Sequence, residues 1–256
     1  MKKIFCTIIL LIVVLSTFAQ HEGGIANEEK NVFMQKQWRV RVFAGYSIGG
    51  TAPLPLPREI RGINGYNPGF GYRLGVAVQK LFNGSRWGVE TGLYLENKGM
   101  TTYADTKNYH MEAWNSDGKV VGAFTGKVKT KVDNKYLTLP LLCTYDASVR
   151  WSFSAGAYFS YLLDGEFAGR AYDGYIRDQN PTGEKADVTR AYYSFGDDLR
   201  KFHWGLQAGC EYRFYNKVAA SASLQWGMNS IFHSGFGSVT FDLYPIYATL
   251  GLTYLL

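Results

Sequence analysis

From residue 37 to the end of the chain, apolar and polar residues alternate in runs of about a dozen positions, broken by gaps that are alternately very short and long. Asn83-Gly84-Ser85, Asp146-Ala147-Ser148 and Tyr215-Asn216-Lys217 are tight breaks, whereas those near 49–68, 105–130, 165–200 and 232–242 are long. Period-two alternation places one class of side chain on each face of a strand. Tight turns at one end and long connections at the other are how an up-and-down transmembrane β-barrel reads. The expected fold is therefore all-β, an eight-stranded antiparallel up-and-down transmembrane β-barrel over residues 37–256.

Parity assigns the faces. The eight expected strands cover about 37–48, 69–82, 86–100, 134–145, 149–164, 201–214, 218–230 and 244–256, each meeting the roughly 9–11 residues a tilted strand needs to cross a bilayer. The apolar face carries Trp38, Trp87, Trp151 and Tyr254 at the tight-turn end and Tyr46, Phe70, Phe202 and Trp226 at the other. Two aromatic girdles on the apolar face fit a membrane wall better than the inner face of a soluble barrel. Aromatic residues make up 16% of the chain although its mean hydropathy is slightly negative, which suits a wall whose inward residues are polar and small. The opposite face carries Arg39, Arg41, Arg73 and Arg213 with Glu90, Glu96 and Glu211. Eight strands leave an interior that side chains fill, so these charges are expected as a lumen ion-pair network, with a selective channel as the rival reading. Serine at inward Gly75 is expected to be milder than arginine at Leu74 or Leu206.

The first segment reads as a cleaved signal peptide over 1–19: Lys2 and Lys3, an apolar core from Ile4 to Leu15, then Thr17-Phe18-Ala19. Residues 20–36 are expected as a short periplasmic segment. Removing the signal lowers the net charge from +6 by two, to +4, too mild to require a nucleic-acid partner. Cys143 and Cys210 share outward parity on strands that are not neighbours, so free thiols are expected rather than a disulfide. No cysteine or histidine spacing suggests a metal site, and no cofactor is expected.

Several runs resemble a known family. Asn134-Lys135-Tyr136-Leu137-Thr138-Leu139-Pro140-Leu141-Leu142 is similar to the Tyr-Leu-x-Ile-Pro-Leu-Leu strand of the PorT-like outer-membrane β-barrel family. Trp87 to Gly99 resembles that family's strand ending in a Lys-Gly pair. Phe153 to Tyr158 and Leu250 to Tyr254 resemble its later strands. The resemblance covers about 38–256 and departs in the long third loop and at Thr138, where an acidic residue is common. It implies an outer-membrane location in a diderm bacterium and, through the family's namesake, a link to secretion.

The residues that could carry function lie near the long connections. Lys127, Lys129, Lys131 and Lys135 alternate with Val128, Thr130 and Val132 and so share an outward face above the apolar band. Lipopolysaccharide phosphates lie at that height, and lysine binds phosphate as a point charge; a solvated strand extension explains the same pattern. Tyr172, Asp173, Tyr175, Arg177, Asp178, Tyr192 and Tyr193 make the third loop aromatic and charged, a candidate contact for sugar or protein. A lipid-modifying enzyme would need a histidine beside a nucleophile and a carboxylate; His233-Ser234 with Asp242 is the nearest approach to that set. The leading expectation is a non-enzymatic scaffold or binding protein, an accessory of secretion or surface assembly. Its partners would be outer-membrane lipid, lipopolysaccharide and another outer-membrane or secreted protein. A small channel or transport protein and a lipid-modifying enzyme are the rivals.

Overall fold

The computed structural model describes residues 37–115, 118–177, 183, 185–233, 235 and 241–256. The expected signal peptide and the segment 20–36 lie outside the described residues. Ten strands follow in order: β1 (Trp38–Pro53), β2 (Ile60–Asn67), β3 (Gly71–Leu81), β4 (Trp87–Asn115), β5 (Gly118–Asp146), β6 (Trp151–Arg177), β7 (Lys185–Ser194), β8 (Phe202–Tyr215), β9 (Val218–Gly227) and β10 (Leu243–Leu255). Eight of them close a ring, β1–β3–β4–β5–β6–β8–β9–β10 and back to β1, every pair antiparallel. A closed ring leaves none of these eight strands with a free edge along its paired length.

The two remaining strands extend members of the ring. β2 pairs with the upper part of β4 and β3 with the lower part, so the two form one descending strand broken at Pro68-Gly69. The break has a local cause: Gly69 adopts a φ of 67° and its amide bonds the Asn67 side chain at 3.0 Å, a left-handed turn that glycine makes without steric cost. β7 likewise sits above β8 on the same partner, β6.

The wall has two storeys of opposite polarity. In the lower one, Leu74, Val76, Leu93, Leu95, Leu139, Leu141, Leu206 and Leu224 are exposed, while Arg73, Gln79, Glu96, Thr138, Gln207 and Gln225 are buried inside. Trp38 to Tyr46, Leu137 to Tyr145 and Trp151 to Tyr161 each bound this zone over roughly the 9–11 residues of a membrane crossing. Paired rings mark its ends, with Trp87–Tyr145 and Trp151–Tyr212 centroids 4.8 Å apart below and Tyr46–Phe70 6.3 Å and Phe159–Phe202 6.2 Å above.

In the upper storey the pattern inverts. Phe124, Val128, Val132, Phe167, Ile176, Val188 and Tyr193 form the interior cluster, while Lys127, Lys131, Glu166 and Lys185 face out. β4 to β7 curl together here and meet again at the Trp114–Tyr192 bridge.

This second storey corrects the expected loops. Most of 105–130 and 165–200 is strand, as is part of 49–68. The hydropathy pattern hid it because the pleat continues while the outer face changes from lipid-type to water-type residues. Alternation survives with reversed sign, as in a soluble barrel.

Candidate functional site

The lower interior is packed with paired charge. Arg39 contacts Asp146 at 2.7 Å, Arg41 contacts Glu90 at 2.8 Å and Glu211 at 3.8 Å, and Arg73 contacts Glu96 at 3.0 Å. Lys98 takes the other Glu96 oxygen at 2.9 Å. Thr138 and Gln225 each donate to Glu96 at 3.0 Å, so one carboxylate faces two cations and two neutral donors. Arg73 reaches on to Gln207 and Ser223, crossing the lumen from β3 to β8 and β9. Arg213, on β8, is buried in the same layer near the tight-turn end. Gln79, Gln207, Thr138 and Gln225 add hydrogen bonds to these charges, which offsets part of the cost of burying them.

Aromatic rings complete the filling. The Arg73 guanidinium lies 4.1 Å from the Tyr94 ring centroid. The Lys98 ammonium is ringed by Tyr136, Tyr158 and Tyr247 at 5.2–5.7 Å, and all three rings are at most 3% exposed. A cavity of about 60 Å³ beside Arg41, Glu90 and Gln207 has room for a few waters. The seven charges expected in the lumen all lie in this interior, Arg39, Arg41, Glu90 and Glu211 in one cluster with Asp146, Arg73 and Glu96 in a second with Lys98, and Arg213 near the tight-turn end. Parity could also have supplied two members that the sequence reading passed over. Asp146 continues the inward set Thr138-Leu142-Thr144 into a residue read only as a turn, and Lys98 follows Tyr94 and Glu96 on the inward face.

The other candidate residues lie in the upper storey. Lys127, Lys131 and Lys135 pair with Asp173, Glu166 and Asp164 of β6 at 3.4, 2.6 and 2.8 Å, all exposed. The Glu166 hydrogen bond raises the Lys131 ammonium above its ordinary value. Lys129, on the same face, lies over the Tyr103 ring at 5.3 Å. The tyrosines separate. Tyr172 lies beside Arg170, and Tyr175 lies between Arg177 and Lys185; Asp178 lies outside the described residues. Tyr192 is exposed, but Tyr193, its neighbour on the opposite face of β7, is buried in the interior cluster. There it shares a 2.6 Å hydrogen bond with Thr130. It serves packing and is not on the surface with the others.

His203 is buried, with Nε2 2.8 Å from the Arg200 carbonyl. His233 Nε2 stands 3.7 Å from Asp198 at an exposed position, and Ser234 lies outside the described residues. Cys143 and Cys210 are free thiols.

Comparison with solved structures finds distant likeness. The Ail attachment invasion locus protein of Yersinia pestis, crystallised with the heparin analogue sucrose octasulfate, is 13% identical at a TM-score of 0.36, over 86% of this chain and 97% of its own. A major outer membrane protein from Thermus thermophilus is 15% identical at a TM-score of 0.41, over 86% and 99%. Neisserial surface protein A is 9% identical at 0.29, over 86% and 97%. No curated protein matches the chain. A family model does, over residues 18–233. This chain therefore belongs to the outer membrane protein beta-barrel domain family.

Proposed function

We propose that the protein is a non-enzymatic outer-membrane scaffold or binding protein. Its lower storey spans the bilayer as an eight-stranded barrel, and its upper storey stands outside the cell as a contact surface. One observation carries this reading: the wall reverses polarity where the lysine stripe begins, above an interior closed by the Glu96 network and the three tyrosines around Lys98. An apolar exterior needs lipid, a charged exterior needs water, and a filled lumen leaves little room for transport.

The exposed Lys–Asp and Lys–Glu pairs support a contact with lipopolysaccharide. Surface pairs are worth about 0–1 kcal/mol, so phosphate can displace their carboxylates at small cost. The strand motifs from Trp87 to Gly99 and Asn134 to Leu142 favour the PorT-like branch, and with it an accessory role in secretion or surface assembly. Planar bilayers test the closed lumen: the purified protein should give no discrete conductance steps, and reproducible steps would favour a channel. Crosslinked pull-down from intact outer membranes, with and without charge reversal at Lys127, Lys129 and Lys131, tests the contact surface. Unchanged lipid A mass in a His233→Ala strain is expected for a protein without lipid chemistry.

A further inference from the structure

The wall is not sealed everywhere. β1 leaves β3 at Ser47–Gly71, while β10 follows it up to Pro53–Leu243. β2 pairs with β4 and, among the described residues, with no other strand. Between the end of β1 and the free edge of β2 there is therefore a seam. The Tyr66 phenol donates to the Gly49 carbonyl at its foot, at 2.5 Å. The seam begins at the level of the break at Pro68-Gly69, where pairing of β1 with β3 ends.

The seam leads into a cavity of about 380 Å³ at the base of the upper storey, within the roughly 300–1,000 Å³ range of small-molecule sites. Met100, Ala104, Val128, Phe167, Phe241 and Leu243 form much of its wall. Among the described residues, no Lys, Arg, Asp, Glu or His lines it. Its polar groups are largely spoken for: Thr130 bonds Tyr193, Thr106 donates to the Gly126 carbonyl at 3.1 Å, and Tyr66 holds Gly49. An occupant therefore meets hydrocarbon and few free hydrogen-bonding groups. Water gains little in such a space. Outside the seam, Ile48, Leu54, Leu56 and Ile63 are exposed and continue the apolar band of the lower storey upward.

We propose that this cavity binds a linear acyl chain, taken in sideways through the seam between β1 and β2 from the apolar surface of the ring. The proposal rests on the membrane placement argued above. The chain could belong to a membrane lipid or to a free fatty acid; the cavity recognises the hydrocarbon common to both.

The test uses the whole protein refolded into phosphatidylcholine nanodiscs, with and without added oleate, then released for native mass spectrometry. Heat-modifiable gel mobility reports insertion independently, so failed insertion would count against the membrane placement and not against the cavity. The wild type should retain one adduct. A phosphatidylcholine mass identifies a lipid chain, an oleate mass identifies a free amphiphile, and either supports the site. Ala104→Trp and, separately, Thr102→Phe fill the cavity from β4 and should lose the adduct while still inserting. If one of them does not fold, the other decides. A wild type inserted without an adduct, or an inserted variant that retains it at the wild-type level, would overturn the proposal.

Discussion

Lys131 and Leu137 point to the same outer face of β5, six residues apart, and meet different surroundings. Lys131 is ion-paired with Glu166 at 2.6 Å, whereas Leu137 is bare hydrocarbon beside Tyr161 on β6. Their inward neighbours reverse the assignment. Val132 is 1% exposed among apolar side chains, and Thr138 is fully buried with its hydroxyl on Glu96. The boundary between two solvents therefore crosses the wall between these positions, close to Lys135.

That boundary predicts opposite tolerances along one strand. Leu137→Arg should lower folding stability in lipid, and Leu74→Arg and Leu206→Arg, deeper in the band, should each cost about 2–4 kcal/mol. Lys131→Leu should be close to neutral, while Val132→Asp, inside the upper storey, should be strongly destabilising because it buries an unpaired carboxylate. Urea-driven unfolding from lipid vesicles measures all five. Similar costs for Lys131→Leu and Leu137→Arg would contradict the boundary.

Glu96 should be the most sensitive lumen position. Glu96→Ala leaves both Arg73 and Lys98 without their carboxylate, and breaking a buried pair typically costs about 3–5 kcal/mol. Glu90→Ala should cost less, since Arg41 retains Glu211 at 3.8 Å and Gln79. Denaturant midpoints of the two variants should rank in that order; a larger effect at Glu90 would show that the network is organised around Arg41 instead.

Gly75→Ser carries a steric cost that inward parity does not reveal. A Cβ there would run into the Tyr94 ring and the Leu93 carbonyl. Tyr94 cannot retreat freely, because the Arg73 guanidinium lies 4.1 Å from its ring centroid and Phe43 packs edge-on at 6.0 Å. The substitution should therefore destabilise, whereas Ser154→Ala, beside the 60 Å³ cavity, should change little. Thermal shift of the folded band on gels compares them.

The eight-fold ring was legible because lipid imposes a simple rule on every second residue, and Trp38, Tyr46, Trp87 and Trp151 mark where the rule starts and stops. Arg39, Arg41, Arg73, Glu90, Glu96 and Glu211 followed from the same parity. The upper storey was harder to read. Lys127-Val128-Lys129-Thr130-Lys131-Val132 alternates as strictly as any crossing and reads as a solvated strand extension, but with the polar residues outward it does not reveal how far the strands run beyond it. Tyr193 was misplaced beside Tyr192 for a related reason: proximity in sequence says nothing of faces until the strand is recognised. The seam between β1 and β2 depends on a strand break whose local cause, Asn67-Pro68-Gly69, is visible in sequence, but the cavity behind it needs residues from β4, β5 and β10.

Orientation follows from the tight turns lying together at the aromatic girdle of Trp87 and Trp151, below the long β4–β5 and β6–β7 extensions. Outer-membrane barrels keep short turns toward the periplasm. Trypsin added to whole cells should cut near Arg177 or Lys185 and spare Lys217, in the β8–β9 turn. Cleavage at Lys217 with Arg177 and Lys185 protected would invert the arrangement.

Thiol labelling of outer-membrane fragments open on both sides distinguishes a lower storey in lipid, with the upper one in water, from a wall that faces water throughout. Cys143 is an exposed free thiol on the apolar wall of β5, and a second thiol introduced by Lys131→Cys lies farther up the same face. A membrane-impermeant maleimide should modify the introduced thiol rapidly and leave Cys143 unmodified until the protein is unfolded. Rapid labelling of Cys143 in the folded, membrane-bound protein would show that this wall faces water and would contradict its placement in lipid.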